Sequence, residues 1–345
     1  MILPPEIFTI VSDYLSLDDI SSLVLTCHEV NRWINMNDVI REYYLIEREK
    51  RGDIVYDACR CGYINLLMYL HRIKKDLTSN CPIILANNLG QLLLAKYLQS
   101  IGVDIGVEHD TPITCAINNG HLHIVKYLCS VGVSPTVDNN RPIRRASQMG
   151  HLDIVKYLCS VGADPRACNN IPICLAAQRG DLDIVKYLHS VGADPTADDN
   201  HAIKWVSADG HLDVIKYLCS VGADPTAGNN LPIIRASANG HLSVVEYLYS
   251  VGADPTADYN DPIIRASNDG HLSVVKYLCS VGADPTANDN LPLICASEYG
   301  HLPVVEYLCS VGADPAARNN APVRGAIQYG HYSVAEYLRM NGATL

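Results

Sequence analysis

Histidine is the first candidate for chemistry, because it recurs in one column, meaning the same place in successive repeats of the chain. Packed helices lie about 8–10 Å apart, whereas a zinc ion holds each nitrogen ligand at about 2 Å. Successive histidines are thus too far apart to share an ion, and we expect them to hydrogen-bond the backbone in turns. The sequence therefore predicts no metal site. The column consists of His121, His151, His211, His241, His271, His301 and His331.

Cysteine forms a second column, and the thirteen cysteines of the chain raise the possibility of disulfides. The total is odd, and His189, Tyr249 and Arg339 stand in the same column. A column that tolerates such replacements predicts reduced thiols in an intracellular protein. Cys59 and Cys61 lack a second pair of ligands, so we expect no zinc there either. The column members are Cys129, Cys159, Cys219, Cys279 and Cys309.

No other residues form a pattern that indicates catalysis. Pairs such as Asp153 and Lys156, three residues apart, are typical of the exposed face of a helix, and the repeated tyrosines indicate packing. The sequence contains no phosphate-binding loop, nucleophile elbow or kinase signature. We therefore expect a protein that is not an enzyme and that uses no cofactor.

Charge and hydropathy exclude two further classes of partner. A net charge of −11 disfavours binding to nucleic acid or to an anionic membrane surface. No apolar run approaches the ~18 residues of a membrane span. Glu6 and Asp13 interrupt the apolar part of the N-terminal segment, so we expect no secretory signal there.

The elements that position these columns come from a motif that returns almost unchanged, as in residues 150–165. Its leading glycines are spaced by 30 residues, except for a first spacing of 28. Such a period is the signature of a solenoid, in which each unit packs only on its neighbours. The glycines are Gly62, Gly90, Gly120, Gly150, Gly180, Gly210, Gly240, Gly270, Gly300 and Gly330.

The sequence of one repeat, residues 139–168, predicts two helices joined by a turn. Pro142 suits the first turn of a helix, because its missing N–H would be unpaired there. Gly150 ends the first helix, and Leu152, Val155 and Leu158 carry the apolar spacing of the second. After the second helix an extended loop leads to residues 169–170, two asparagines that tolerate positive φ in a tight turn.

This unit resembles the ankyrin repeat. The motifs Gly-His-Leu-x-Ile/Val-Val-x-Tyr-Leu and Val-Gly-Ala-Asp-Pro are similar to the family's second helix and its exit, and residues 111–116 approach the family's Thr-Pro-Leu-His-x-Ala. The units are three residues shorter than the family's usual ~33, and they look like those of giant-virus ankyrin-repeat proteins. The resemblance implies an all-α solenoid of about ten units over residues 53–345. The first two units are degenerate and the last is a cap.

Residues 1–45 stand outside the repeat and resemble an F-box, through Leu-Pro at 3–4, Tyr-Leu at 14–15 and Leu-x-Asp-Ile at 17–20. The resemblance implies docking to a Skp-type adaptor of a cullin–RING ubiquitin ligase, and residues 46–52 form a charged connection. The alternative is that these helices only cap the first repeat. The implied adaptor-binding residues are Leu3, Pro4, Ile7, Leu15, Leu17, Ile20, Leu23 and Val24.

Columns that vary within a constant scaffold are the candidates for recognition of a protein target. Trp205, flanked in the pattern by Arg179, His201 and Lys204, is the foremost of them, because tryptophan and arginine dominate binding hot spots. The alternative is that Trp205 fills the space left by Ala202, which replaces the usual proline. The predicted groove residues are Arg141, Arg145, Met149, Arg179, His201, Trp205, Asp209, Arg235, Arg265, Tyr299 and Tyr329.

Two functions are compatible with this organisation. In the first, the chain is a substrate-recognition adaptor that brings a target protein to a ubiquitin ligase. In the second, it is a plain ankyrin scaffold or decoy that sequesters a host protein, and the N-terminal helices are only a cap. Both predict an intracellular protein, in the host cytoplasm if the giant-virus resemblance is followed.

Overall fold

The computed structural model describes residues 54–61, 64, 67, 68, 71, 77, 80–103 and 112–344, and every regular element among them is a helix. The predicted all-α repeat fold is therefore confirmed. The implied F-box segment and the charged connection lie outside the described residues. The chain divides into two compact units between residues 137 and 138.

Unit 1, which ends at residue 137, contains five of the described helices. Helices α2 and α3 pack on each other, as do α4 and α5, so each pair is one helix–turn–helix repeat. The helices are α1 (Ile54–Cys61), α2 (Asn80–Asn88), α3 (Leu92–Ser100), α4 (Pro112–Asn118) and α5 (Leu122–Ser130).

Unit 2, from residue 138 onward, alternates two kinds of helix. The first helix of each repeat is one of α6 (Val137–Met149), α8 (Ala167–Arg179), α10 (Ala197–Asp209), α12 (Ala227–Ala238), α14 (Ala257–Asn268), α16 (Ala287–Glu298) and α18 (Ala317–Gln328). The second is one of α7 (Leu152–Ser160), α9 (Leu182–Ser190), α11 (Leu212–Ser220), α13 (Leu242–Ser250), α15 (Leu272–Ser280), α17 (Leu302–Ser310) and α19 (Tyr332–Met340).

Each second helix is short, amphipathic and ended by a glycine. In α13, Val244, Val245 and Leu248 are buried on one side. Gly252 then takes φ +105°, and the Ala253 N–H donates to the Leu248 carbonyl at 3.0 Å. This closing bond satisfies a carbonyl that the end of the helix would otherwise leave unpaired.

Each first helix of unit 2 contains, near its start, one turn of left-handed backbone. In α8, the residues Cys168, Asn169 and Asn170 have φ of 53°, 58° and 64°. The predicted positive φ at the two asparagines is thus right, and the turn starts one residue earlier. Left-handed backbone costs most residues roughly 1–2 kcal/mol each, and after glycine it is asparagine and aspartate that tolerate it best. Right-handed helix follows, so that Pro142 of α6 lies in the first right-handed turn, as the sequence predicts.

The third residue of every left-handed turn in unit 2 is an asparagine that links its repeat to the next one. The Asn200 Oδ1 accepts the Asp224 N–H at 2.9 Å, and the Asn230 Oδ1 accepts the Asp254 N–H at 2.8 Å. The same bond recurs at the other repeats of the unit. We call the loops that carry these turns, such as residues 221–230, the finger loops.

Successive first helices of unit 2 pack more extensively on each other than successive second helices do. Small buried residues such as Ala236, Ser237 and Ala266 let the first helices approach closely. The first helices therefore form the more tightly packed row of the unit, and their open face, away from the second helices, is called the first-helix face. Most of the predicted groove residues lie along it.

Candidate functional site

Trp205 of α10 is the centre of an aromatic and cationic cluster on the first-helix face. Its surface is 40% exposed, and its ring lies 5.5 Å from the ring of His201, centroid to centroid. The Arg235 guanidinium of the next first helix sits 4.8 Å from the centroid of the Trp205 ring. Arg235 also donates from Nη1 to the Lys204 carbonyl oxygen at 3.1 Å. The indole is therefore held between two neighbours with part of its surface open to solvent.

A cleft opens beside this cluster, between α12 and α14. Its volume is about 410 Å³, and Arg235 and Arg265 both line it. Arg265 donates from Nε to both carboxylate oxygens of Asp261, at 3.1 and 3.2 Å. The cleft thus holds two guanidinium groups from equivalent positions of neighbouring repeats. The remaining lining residues are Gly228, Asn229, Leu231, Ile234, Ala238, Asn239, Asp258 and Asp261.

The arginines of α6 form a second polar group, at the start of unit 2. Arg141 lies 3.6 Å from the Asp138 carboxylate, and Arg145 donates to the Gln148 side chain at 2.8 Å. Met149, at the end of the same helix, is half-buried. These predicted groove residues therefore share one helix, and α8 and α10 separate that helix from the cleft.

Arg179 occupies a different environment from the one that its place in the sequence suggests. Its Nε lies 2.7 Å from the Asp181 carboxylate, and Asp181 stands where the other repeats of unit 2 carry the turn histidine. The pair covers Gly150 of the preceding repeat, as the His241 ring covers Gly210. The guanidinium that the structure brings to Trp205 belongs to Arg235, one repeat further along.

The remaining predicted residues are exposed at the ends of first helices. Asp209 ends α10, and Tyr299 and Tyr329 follow α16 and α18 with 59% and 60% of their surfaces exposed. Tyr259, which the sequence analysis missed, is 80% exposed at the tip of a finger loop, with φ +58°. The signal that identifies it is a tyrosine in a column that, within unit 2, otherwise consists of asparagine and aspartate.

Several members of the histidine column bond the backbone of the preceding repeat, as the sequence predicts. Nε2 of His241, His271 and His301 lies 2.9–3.0 Å from a carbonyl oxygen of the preceding repeat. Within the described residues, no group of histidine, cysteine and carboxylate side chains could hold a metal ion.

Two of the described cysteines, Cys174 and Cys309, lie in environments that suppress their reactivity. All of those described are free thiols. Burial raises the pKa of the Cys309 thiol to about 11, and burial with the nearby Asp198 charge raises the pKa of Cys174 to about 12. Since the thiolate is the nucleophilic form, these groups are poor nucleophiles near neutral pH.

Comparisons with known proteins agree with the repeat architecture. Residues 82–169, 173–259, 233–319 and 263–345 match the model of a family described as ankyrin repeats in three copies. The comparison with curated proteins finds no match. In the part of the chain that the structure describes, no helix is both long enough and apolar enough to cross a membrane.

Proposed function

Because the chain belongs to the ankyrin-repeat family, whose repeats indicate protein–protein interaction modules, we propose that it binds a protein target on the first-helix face of unit 2, around Trp205. The observation that carries this proposal is a tryptophan 40% exposed and fixed by the Arg235 guanidinium at 4.8 Å. Large aromatic side chains next to arginine are the residues that contribute most to protein–protein affinity.

The geometry of the cluster favours binding, because its side chains are already ordered before a partner binds. Arg235 is already fixed by the ring of Trp205 and by the Lys204 carbonyl, and His201 packs on the other part of the indole. Immobilising a side chain with many rotamers costs about 0.5–1.5 kcal/mol on association. A pre-ordered arginine and tryptophan avoid much of that cost.

The proposal extends to the N-terminal segment. Residues 1–45 act as the F-box-like part, 46–52 as the connection and 53–345 as the repeat array. The supporting pattern is Leu-Pro at 3–4, Tyr-Leu at 14–15 and Leu-x-Asp-Ile at 17–20. In this reading the chain is not an enzyme. It links a target to a cullin–RING ligase in the cytoplasm and raises the effective concentration of target lysines near the catalytic subunits.

The test compares two variants of the full chain, each of which should lose one of the two binding activities and keep the other. Changing Leu3→Ala, Pro4→Ala and Leu15→Ala together removes three apolar side chains, each worth upward of 1 kcal/mol in an interface core. We expect this variant to lose binding to a purified Skp-type adaptor by at least about 100-fold, while it still binds the target. Trp205→Ala should show the opposite pattern. Both affinities are measured by isothermal titration calorimetry.

The scaffold or decoy alternative predicts a different outcome. A wild-type chain that does not bind any Skp-type adaptor would remove the ligase role and leave residues 1–45 as a cap. The triple variant would then expose protease sites in the first repeats, near residues 52–90, because an uncapped terminal repeat frays.

A further inference from the structure

We infer that the cleft between α12 and α14 binds the carboxylate of an aspartate or glutamate in the target protein, next to an apolar side chain of the same segment. The inference rests on the proposed function and specifies the chemistry of the partner. It follows from the two arginines, the apolar lining and the distribution of charge in the cleft.

Arg235 is a cation without a matching anion. It stacks on Trp205 and donates one N–H to the Lys204 carbonyl oxygen. Among the described residues no carboxylate lies within ion-pair distance of its guanidinium. A guanidinium has five N–H donors in a planar fork that suits a carboxylate. Arg235 is therefore oriented in the cleft with donors still available for an anionic group.

Arg265 supplies a second guanidinium on the opposite side of the cleft. It uses Nε for Asp261, which is 19% exposed, while the arginine side chain remains 58% exposed. The exposed side chain therefore leaves its terminal nitrogens accessible to a ligand. Because Arg235 and Arg265 come from equivalent positions one repeat apart, a carboxylate between them accepts hydrogen bonds from two first helices at once.

The local charge limits the partner to an isolated acidic residue. Asp258 and Asp261 also line the cleft, so the two arginines are balanced by two aspartates, one of which is already bound to Arg265. The net charge of the chain is −11, and a run of acidic residues would meet repulsion outside the cleft. One carboxylate among neutral neighbours fits this distribution better than a polyanionic segment.

The apolar wall of the cleft is the reason to expect an apolar side chain next to the bound carboxylate. Leu231, Ile234 and Ala238 form its apolar wall, and Ile234 is almost fully covered. A volume of about 410 Å³ is within the range of sites that bind small groups of atoms, about 300–1,000 Å³. It accommodates the carboxylate together with an aliphatic side chain beside it.

The experiment is a selection from a random peptide display library on the immobilised full chain, followed by sequencing. For the wild type we expect enrichment of peptides with one aspartate or glutamate next to an aliphatic residue. On Arg235→Glu the enriched residue should change to lysine or arginine. Arg324→Glu is the matched control, because Arg324 is exposed on α18, away from the cleft. It makes the same charge change and should leave the acidic preference intact.

Affinities of one selected acidic peptide sharpen the test. Arg235→Ala should weaken its binding on the order of tenfold, since it removes a charge-assisted donor from a partly enclosed site. Asp261→Asn removes the carboxylate that competes for Arg265, so we expect binding to strengthen by a few-fold. A weaker affinity for Asp261→Asn would contradict the inference, and so would phosphoserine binding at least tenfold tighter than aspartate at the same position.

The outcomes separate this inference from the proposed function. Peptides that need Trp205 but show no acidic preference would overturn the carboxylate site and leave target binding at the first-helix face intact. If no enriched peptide depends on Trp205, the proposed function fails and the inference fails with it.

Discussion

The second helices and the first helices of unit 2 use the same 30-residue repeat in opposite ways. Several second helices repeat one contact with the next repeat: the Lys216 ammonium lies 5.9 Å from the centroid of the Tyr247 ring, and the Lys276 ammonium lies 5.5 Å from that of Tyr307. The first helices carry similar residues on their buried side in every repeat, but different residues on their open side. The difference shows that a repeat can hold its scaffold constant while it varies the surface that a partner meets.

The same contrast exists within a single repeat, between residues that contact the next repeat and residues that face solvent. Asn229 and Asn230 are neighbours with nearly equal backbone angles, yet only Asn230 bonds the following finger loop. Tyr259 shares the column of Asn229 and projects into solvent. Three predictions use such matched pairs of positions, and they are ordered by the size of the expected effect.

The largest effect is expected where a glycine faces the next repeat. Gly240 has φ +76°, and a Cβ there would stand 2.5 Å from Nδ1 of His271. Gly240→Ala should therefore lower the free energy of unfolding by about 2–3 kcal/mol, because it adds left-handed strain and displaces a hydrogen-bonded ring. Gly252, with φ +105° and nothing within 4 Å of its Cβ position, is the control. Gly252→Ala should cost only the strain, about 1–2 kcal/mol.

Urea denaturation measures both glycine variants, and a third variant isolates the contact. In a His271→Ala background the ring is gone, so the additional cost of Gly240→Ala should fall to that of Gly252→Ala. Equal costs for the two glycine variants in the wild-type background would show that the histidine column does not hold neighbouring repeats together.

A smaller effect is expected at the asparagines of the finger loops. Asn229→Ala and Asn230→Ala both place alanine in left-handed backbone, but only the second removes the bond to the Asp254 N–H. Asn230→Ala should therefore be less stable than Asn229→Ala by about 1 kcal/mol, the usual net value of one hydrogen bond. The comparison uses urea midpoints with equal slopes, and two identical midpoints would contradict it.

The smallest effect has the opposite sign and concerns Tyr259. An aromatic residue at φ +58° is strained, and its exposed side chain gains little packing in return. Tyr259→Asn should raise the free energy of unfolding by up to about 1 kcal/mol, because asparagine tolerates this backbone. The reverse exchange, Asn229→Tyr, should lower it by a similar amount, and thermal melting of both variants checks the pair. A melting temperature that falls for Tyr259→Asn would show that the ring stabilises the fold.

Much of this fold can be predicted from the sequence, because each repeat contains the residues that determine where its helices and turns begin and end. The period places the helices, and the glycine and asparagine positions indicate where the backbone takes positive φ. The left-handed turn beginning at Cys168 could not be predicted, since cysteine has no preference for that conformation. Its geometry follows from the repeat that surrounds it.

The sequence indicates which helix carries each candidate residue, but not which candidate residues are in contact. The variation of its column makes Trp205 a candidate, and the residue is 40% exposed on the first-helix face. Arg179 is nearer to it in sequence, but Asp181 replaces a histidine and binds that arginine instead. The contact with Arg235 spans a whole repeat, and only the packing distance between first helices determines which guanidinium reaches the indole.

The most direct test of the central claim is amide hydrogen exchange of the full chain, with and without a peptide selected on the wild type. If the first helices bind and the second helices only support them, protection on binding should appear in α10, α12, α14 and their finger loops. The exchange of α11, α13 and α15 should remain unchanged. Protection concentrated in those second helices would contradict the claim that the first-helix face is the binding surface.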